Sequence, residues 1–492
     1  MSMDYPYDDL LDLYFSNTPA TAGSTTAAAT ISSCEEHGNS SNDWSLDMDW
    51  DCDYRDLIES MMDDEGAMME SPPMLSCHNA QEGACNSAST GLSTAYGVDV
   101  EEEPKLDESK GLRLVHLLVA AAEASTDVKT RELTRVILAR LKRLVSPSDR
   151  TNMERLAAHF ANGLSKLLER ANQQRQAGPH QQRDAYDQSD VISAFQLLQN
   201  MSPYVNFGYL TATQAIIEAV KYDRRVHIVD YDITEGAQWA SLMQAFVSKN
   251  TGPSAQHLRI TALSRATNGK KSIAAVQEAG RRLTAFAESI GQPFSYHHCK
   301  LETDTFNASS LKLVRGEAVV INCMLHLPRF SHQAPNSLIS FLSEVKTLNP
   351  KLITLVHEEV GLMGNQGFLH RFMDLLHQFS AMFDSLEAGL SIATPARGFV
   401  ERVFIGPWVY GWLTRITDDS EVESFASWPQ WLEANGFKAV DVSFANRCQA
   451  KLLLSLFNDG YRVEELGQNG LVLGWKSRRL VSASFWASPE SN

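Results

Sequence analysis

No run of eighteen apolar residues occurs in the 492-residue chain, so no segment is long enough to cross a membrane as a helix. Basic residues are almost missing from the first 109 positions, where Arg55 and Lys105 face 24 acids and the local net charge is −22. The opening, Met1 to Phe15, carries acids where a secretory signal carries Lys or Arg, and the chain is therefore expected to stay inside the cell. The seven cysteines (Cys34, Cys52, Cys77, Cys85, Cys299, Cys323 and Cys448) are odd in number, irregularly spaced and form no C-x-x-C pair. That argues against a disulfide scaffold or a structural zinc site and fits a reducing compartment.

The overall charge of −17 hides two unlike parts, because the chain after residue 109 carries a net +5. Residues 1–109 show no sustained helical or strand period and contain the low-complexity stretches 21–30 and 82–94. Such composition buries too little apolar surface to offset the entropy of ordering, and a disordered acidic tail is expected. Asp4–Phe15 (DYPYDDLLDLYF) and Asp43–Asp64 (DWSLDMDWDCDYRDLIESMMDD) differ in setting aromatics and Leu/Met among carboxylates, a pattern suited to a partner's groove.

Residues 110–223 read as a helical region. Gly111–Ala124 and Lys129–Val145 flank a short break, and Leu133, Ile137, Leu141 and Leu144 form one apolar stripe. Pro147 stops that run, and Thr151 with Glu154 reads as a capping box. It opens a helix striped by Met153, Leu156, Phe160, Leu164 and Leu167. Residues 171–190 hold no branched aliphatic and are expected to be a mobile surface loop, followed by helices over 191–200 and 206–222.

From residue 224 the period changes. Val226–Asp230, Leu258–Leu263, Ala318–Asn322 and Leu352–Val356 are short β-branched-rich strands, with Phe294–His297 a further candidate. Helical patterns over Gly236–Phe246, Lys271–Ile290, Ala334–Leu348 and Asn365–Phe383 alternate with them. The alternation calls for an α/β core over 224–492, a mainly parallel Rossmann-like sheet with helices on both faces. A helix over Asn446–Asn458 and a closing hairpin, Leu471–Trp475 with Val481–Trp486, give an antiparallel C-terminal edge like that of class I methyltransferases.

Glycine is scarce where a cofactor needs it. The turn after the first strand reads YDITEGAQW, with Gly236 alone, whereas a dinucleotide or S-adenosylmethionine site needs backbone free of Cβ atoms at several positions. The second strand runs into Ser264 and Arg265 and lacks the carboxylate that would hold ribose hydroxyls. Gly269 to Ser272 (GKKS) lacks the upstream glycine of a P-loop. His357-Glu358-Glu359 is not H-E-x-x-H, and His297, His298 and Cys299 are consecutive, so alternation along a strand would separate them. Cys323 and Cys448 read as core residues. No catalytic residue, cofactor site or metal site is therefore assigned.

Val226 to Asp230 followed by Gly236, Gln238 and Trp239 resembles the VHIID motif of the plant GRAS regulators, with Val226 and His227 opening it. Val115 to Ala124 (VHLLVAAAEA) is similar to the start of that family's first leucine-rich region, with Ala122 where many members have Cys. Phe372 to Glu387 resembles the PFYRE region; Trp431, Gly436, Trp475 and Trp486 resemble the SAW region. The resemblance spans roughly 110–488, and the tail lacks the motif of the gibberellin-sensing branch. Within the family, MSPYV at 201–205, VDYDI at 229–233, RGE at 315–317 and 446–465 are most similar to the nodulation signalling pathway 2 branch. Two departures are Ala240 for the usual Pro, and Glu401–Leu413, where Gly406-Pro407 and two tryptophans replace a charged segment.

The resemblance implies a nuclear regulator of symbiosis and strigolactone-biosynthesis genes, paired through its first leucine-rich region with a second GRAS protein of nodulation signalling pathway 1 type. Candidate partner-facing residues are Leu117, Leu118, Leu133, Ile137, Leu141, Leu144, Leu156, Phe160 and Leu164, although core packing explains such stripes in most helical pairs. Asp230, Gly236, Gln238 and Trp239 read as residues that hold the first strand–helix turn together. Lys476, Arg478 and Arg479 are candidate phosphate contacts or nuclear-import charges, although three charges in four residues usually mark a solvated turn. The net charge of the body is weak, and no DNA-reading motif is evident, so promoter DNA is expected to be reached through the partner. The rival readings are direct sequence-specific DNA binding and a small-molecule methyltransferase.

Overall fold

The computed structural model describes residues 103–127, 129–145, 151–173, 188–249, 256–265, 269–301, 306–327, 335–360, 367–389, 394–417 and 427–489. The expected acidic tail, with its segments 4–15 and 43–64, lies outside them, as does 174–187 of the expected loop.

Five helices come first: α1 (Glu103–Thr126), α2 (Arg131–Leu144), α3 (Asn152–Gln173), α4 (Gln188–Met201) and α5 (Tyr204–Ala219). Helix α1 begins eight residues before the expected Gly111, and Pro104, in its first turn, has no N–H to leave unpaired there. In α2, Thr134, Ile137, Leu138 and Leu141 recur at helical spacing and are buried. Glu132 in its first turn and Lys142 and Arg143 in its last suit the helix dipole. Helix α3 packs against both α1 and α2. The backbone N–H of Glu154 lies 3.4 Å from the Thr151 hydroxyl, while the Glu154 carboxylate reaches Lys110.

The α/β part follows as β1 (Arg225–Asp230), α6 (Ala237–Lys249), β2 (His257–Arg265), α7 (Gly269–Ile290), β3 (Phe294–Leu301), β4 (Ala318–Met324), α8 (Pro335–Val345) and β5 (Leu352–Glu358). The sheet order is β3-β2-β1-β4-β5, all parallel, with Ile228 opposite Ile260 on one side and Val320 on the other. Strand β4 is buried along its whole length, as expected of a parallel strand covered on both faces. Helix α7 packs on β2 and β3; α5 packs on β4 and β5.

After β5 come α9 (Phe368–Gly389), α10 (Thr394–Val400), a π-helical turn (Glu401–Ile405), α11 (Gly406–Ile416) and α12 (Trp428–Ala434). Then follow β6 (Lys438–Ala439), α13 (Phe444–Leu454), β7 (Tyr461–Leu466), β8 (Gly470–Trp475) and β9 (Arg478–Ala487). Strand β9 runs antiparallel beside β5, and β8 and β7 continue the sheet outward, also antiparallel. The expected hairpin is β8–β9, and β7 extends it by one strand that its Arg462, Glu464 and Glu465 disguised. An outermost strand needs few apolar side chains, so it carries a weak sequence signal. The departure at Glu401–Leu413 is helical, and Pro407 sits where the π-helical turn runs into α11, a place where the helical hydrogen-bond pattern is already shifted and one N–H can be missing.

Close packing between α7 and β3 depends on Gly280. A Cβ there would lie 2.2 Å from the Tyr296 ring, whose hydroxyl donates to the Val276 carbonyl at 2.8 Å. Gly280→Ala is expected to destabilise the protein by on the order of 1–3 kcal/mol in urea denaturation. An unchanged midpoint would show that Tyr296 can move aside freely.

Candidate functional site

In open α/β sheets, ligands bind beyond the carboxyl ends of the strands where the strand order reverses, here between β1 and β4. Strand β1 delivers Asp230 to that point, and the chain itself engages both carboxylate oxygens. The Trp239 indole donates to Oδ2 at 2.7 Å, and the Asp232 backbone N–H donates to Oδ1 at 3.2 Å. The Asn322 amide lies 3.4 Å from Asp230 Oδ1 and 3.4 Å from Gln238 Oε1, and Thr354 donates to Asn322 Oδ1 at 2.8 Å. Asp230, Gln238, Trp239, Asn322 and Thr354 are all buried, and together they join β1, α6, β4 and β5. Gly236 closes the intervening turn at φ 76°, a left-handed conformation that favours glycine, and a Cβ there would lie 3.0 Å from Leu283. Burial, helped by the Asp232 charge, pushes the Asp230 carboxyl up to about 7. Val226 is core, and His227 is buried with Nε2 2.8 Å from the Thr261 hydroxyl and Nδ1 3.4 Å from Glu317. The motif residues therefore meet at one joint, with the geometry of a brace.

A second polar cluster, at the ends of β4 and β5, was not anticipated. Trp408 and Trp412 stand one turn apart on α11 and donate to the two oxygens of Glu358 at 2.8 and 2.6 Å. Tyr204 packs edge-on against Trp408, with centroids 5.4 Å apart, and tilts over His326 at 5.6 Å. Gly208 is pressed so closely on His326 that a Cβ would lie 2.6 Å from its ring. Burial raises Glu358 to about 8 and lowers His326 to about 3, so both are predominantly neutral near pH 7. The available signal was the pair of tryptophans four residues apart on one helical face, whose indole N–H groups each need an acceptor once buried.

The candidate partner stripe lies inside the helical region. Leu117, Leu118, Ile137, Leu141, Leu156, Phe160 and Leu164 are buried, and Leu133 and Leu144 are half-buried. Helix α3 also packs against α9 and α11. The buried Arg155 on α3 donates to Glu401 at 3.2 Å and to Glu387, in the PFYRE-like region, at 2.7 Å. Arg397 adds a second cation 3.6 Å from Glu401. What faces outward is different: Val136 and Leu112 are exposed, and α2 carries Arg131, Arg135, Arg140, Lys142 and Arg143 against Glu132 alone. That helix concentrates positive charge, with Arg131, Arg135 and Lys142 along one side, which an average over the weakly charged body conceals.

The three candidate phosphate contacts already have carboxylate neighbours. Lys476 Nζ lies 2.6 Å from Asp384, Arg479 lies 3.0 Å from Glu464, and Arg478 donates to Gln378 at 2.9 Å with Asp374 at 3.9 Å. In the SAW-like region, Trp475 donates to Asp384 at 2.7 Å and Trp486 to the Ser484 hydroxyl at 3.0 Å. Trp431 is half-buried, edge-on to Trp428, and Gly436 follows α12 at φ 82°. Cys323 is buried as expected, whereas Cys448 is exposed, because its side of α13 faces away from the sheet. Among the described residues no group of three or more His, Cys, Asp or Glu is placed to hold a metal ion.

The folded chain retains protons on Asp230 and Glu358 that the unfolded chain releases, so these groups lower stability as pH rises from the usual carboxylate range to about 7 and 8. Burial lowers His159 and His227 to about 4 and His326 to about 3, so their contribution increases as pH rises toward 6.5. Stability in urea is expected to peak at roughly pH 6–7, and Asp230→Asn to flatten the limb above it; an unaltered limb would assign it to other groups. Arg155→Leu leaves Glu401 buried beside Arg397 alone and is expected to cost on the order of 3–5 kcal/mol. A thermal midpoint equal to that of the parent would show that the pair contributes no net stability.

Residues 114–487 match the GRAS domain family. The chain is 78% identical to Scarecrow-like protein 26 of Arabidopsis thaliana, with 100% of each chain covered. It is 51% identical to Protein NODULATION SIGNALING PATHWAY 2 of Medicago truncatula, covering 98% of this chain and 99% of that one. The protein of the same name from Lotus japonicus is 54% identical, over 93% and 94%. Among solved structures, SCL7 of Oryza sativa superposes with a TM-score of 0.60 at 28% identity, over 76% of this chain and 99% of that one. The chain belongs to the GRAS domain family.

Proposed function

We propose that this protein is a nuclear, non-enzymatic transcriptional co-regulator of symbiosis genes, nodulation and mycorrhizal, and of strigolactone-biosynthesis genes. It acts in a hetero-complex with a second GRAS protein of nodulation signalling pathway 1 type, which supplies the contacts to promoter DNA. The observation that carries the non-enzymatic part is the joint at Asp230, where both carboxylate oxygens are engaged by the chain's own donors at the place where an enzyme of this architecture binds its ligand. Similarity to two proteins named for nodulation signalling supports the symbiotic part. The nine leucine-stripe residues are buried or half-buried, so the partner is assigned to the outward faces of α1 and α2, where Leu112 and Val136 are exposed. Folding of α1–α3 on the buried stripe is what presents those faces.

One observation favours direct DNA contact as a second reading: α2 is a helix of five bases and one acid. Both readings are tested by measuring binding of the full-length protein to promoter fragments at physiological salt, alone and with the partner. Sequence-specific binding is expected only in the mixture. Specific binding by the protein alone, lost in Arg135→Glu/Lys142→Glu, would replace the co-regulator reading with the direct one.

A further inference from the structure

Helix α13 is two-faced. Its Ser443 cap accepts from the Asn446 backbone N–H at 3.0 Å, and Asn446, Ala450 and Leu453 are buried, with the Asn446 amide donating to the Thr211 carbonyl on α5 at 2.9 Å. The opposite face holds Phe444, Cys448 and Leu452 at intervals of four, continued by Leu456 in the turn that follows. Phe444 is 78% exposed, Leu452 68% and Leu456 76%, and Cys448 is exposed between them. From Phe444 to Leu452 the row extends for about 12 Å along the helix at 1.5 Å per residue, and Leu456 continues it in the turn. Single exposed apolar residues need no explanation, but a contiguous row marks a contact surface.

Charge selects the partner. Along the helix itself the charged residues are Arg447 and Lys451, with no carboxylate, and the exposed Asp441 and Asp459 lie beyond its two ends. Lys451 is exposed and makes no ion pair among the described residues, and Arg447 stands 3.8 Å from Glu465. At the start of the row, Ser443 donates to Glu218 at 2.7 Å, which ties this end of α13 to the end of α5. Just beyond α5, Lys221 lies over the ring of Tyr222, which is 86% exposed. An apolar row bordered by cations complements a helix whose apolar side chains are bordered by carboxylates.

We propose that this face of α13 docks an acidic amphipathic helix of another protein, seating its apolar side chains on Phe444, Cys448, Leu452 and Leu456 and its carboxylates against Lys451 and Arg447. The surface is separate from the leucine stripe and from the exposed faces of α1 and α2, so it does not depend on the co-regulator reading.

The probe is a fluorescent synthetic helix with Leu at every third or fourth position and Glu beside it, titrated into the full-length protein. Saturable binding is expected, together with protection of Cys448 from maleimide, located by peptide mapping. Phe444→Ser/Leu452→Ser should weaken binding at least about tenfold, and Lys451→Glu several-fold, while both keep the parent's thermal midpoint because the altered side chains are exposed. Absent binding, equal binding to the variants, or equal binding of a Lys-for-Glu version of the probe would overturn the proposal. So would Cys448 protection that appears without probe, rises with protein concentration and disappears in the double variant, because a second copy would then be the occupant.

Discussion

A carboxyl group sealed inside the protein needs partners, and Asp230 finds them in the Asp232 backbone N–H and in a network drawn from three other elements. Trp239 is on α6, Asn322 on β4, and Thr354, which holds Asn322, on β5. If the first strand–helix turn relaxed, a buried acid would lose its donors, and the central strands would lose the polar link that crosses them. The left-handed Gly236 and the close Leu283 side chain fix the same turn from the other side. The register of the parallel sheet and the position of α6 therefore depend on one another through this contact.

The helical region is joined to the rest by the same physical means. Arg155 is placed inside by the α3 stripe and is tolerable there because Glu387 and Glu401 reach it from α9 and the π-helical turn. The extra residue of a π turn shifts the side chains that follow, and α11 then presents Trp408 and Trp412 to Glu358 at the end of β5. Leucine packing, the buried ion group and the paired indoles form a continuous chain of contacts from α3 to the sheet. A partner that grips the outer helices thus grips a surface whose orientation is set by the core.

Strands β1, β2, β4 and β5 were legible in the sequence because parallel strands covered on both faces must be nearly uniform in apolar, β-branched residues. Strand β7 was not, since an outermost strand can alternate Tyr461 and Val463 with charges. The sequence marked the turn after β1 as one held together by Gln238 and Trp239 but assigned them to backbone groups, whereas the indole meets the Asp230 carboxyl and Gln238 lies beside Asn322. The leucine stripe was legible as a pattern but not as a location: Leu141 has the same spacing whether it meets a neighbouring helix or another molecule. Charge by region failed for a related reason. An average over 383 residues gives a net +5 and conceals that five bases fall on the fourteen residues of α2.

Residues that would serve a ligand within the sheet are committed to one another, and burial keeps Glu358 and His326 predominantly neutral near pH 7 and holds Asp230 well above the usual carboxylate range. The outer faces of α2 and α13 show the opposite economy: cations beside exposed apolar side chains, with Glu132 the one acid on α2 and none on α13. Interior groups of this kind cannot exchange partners without stranding a buried donor or acceptor, whereas the exposed faces gain by being covered. On the two proposals made above, binding would fall to helix faces held in place by the α/β core, with selectivity among partners set by the charges that border each apolar row.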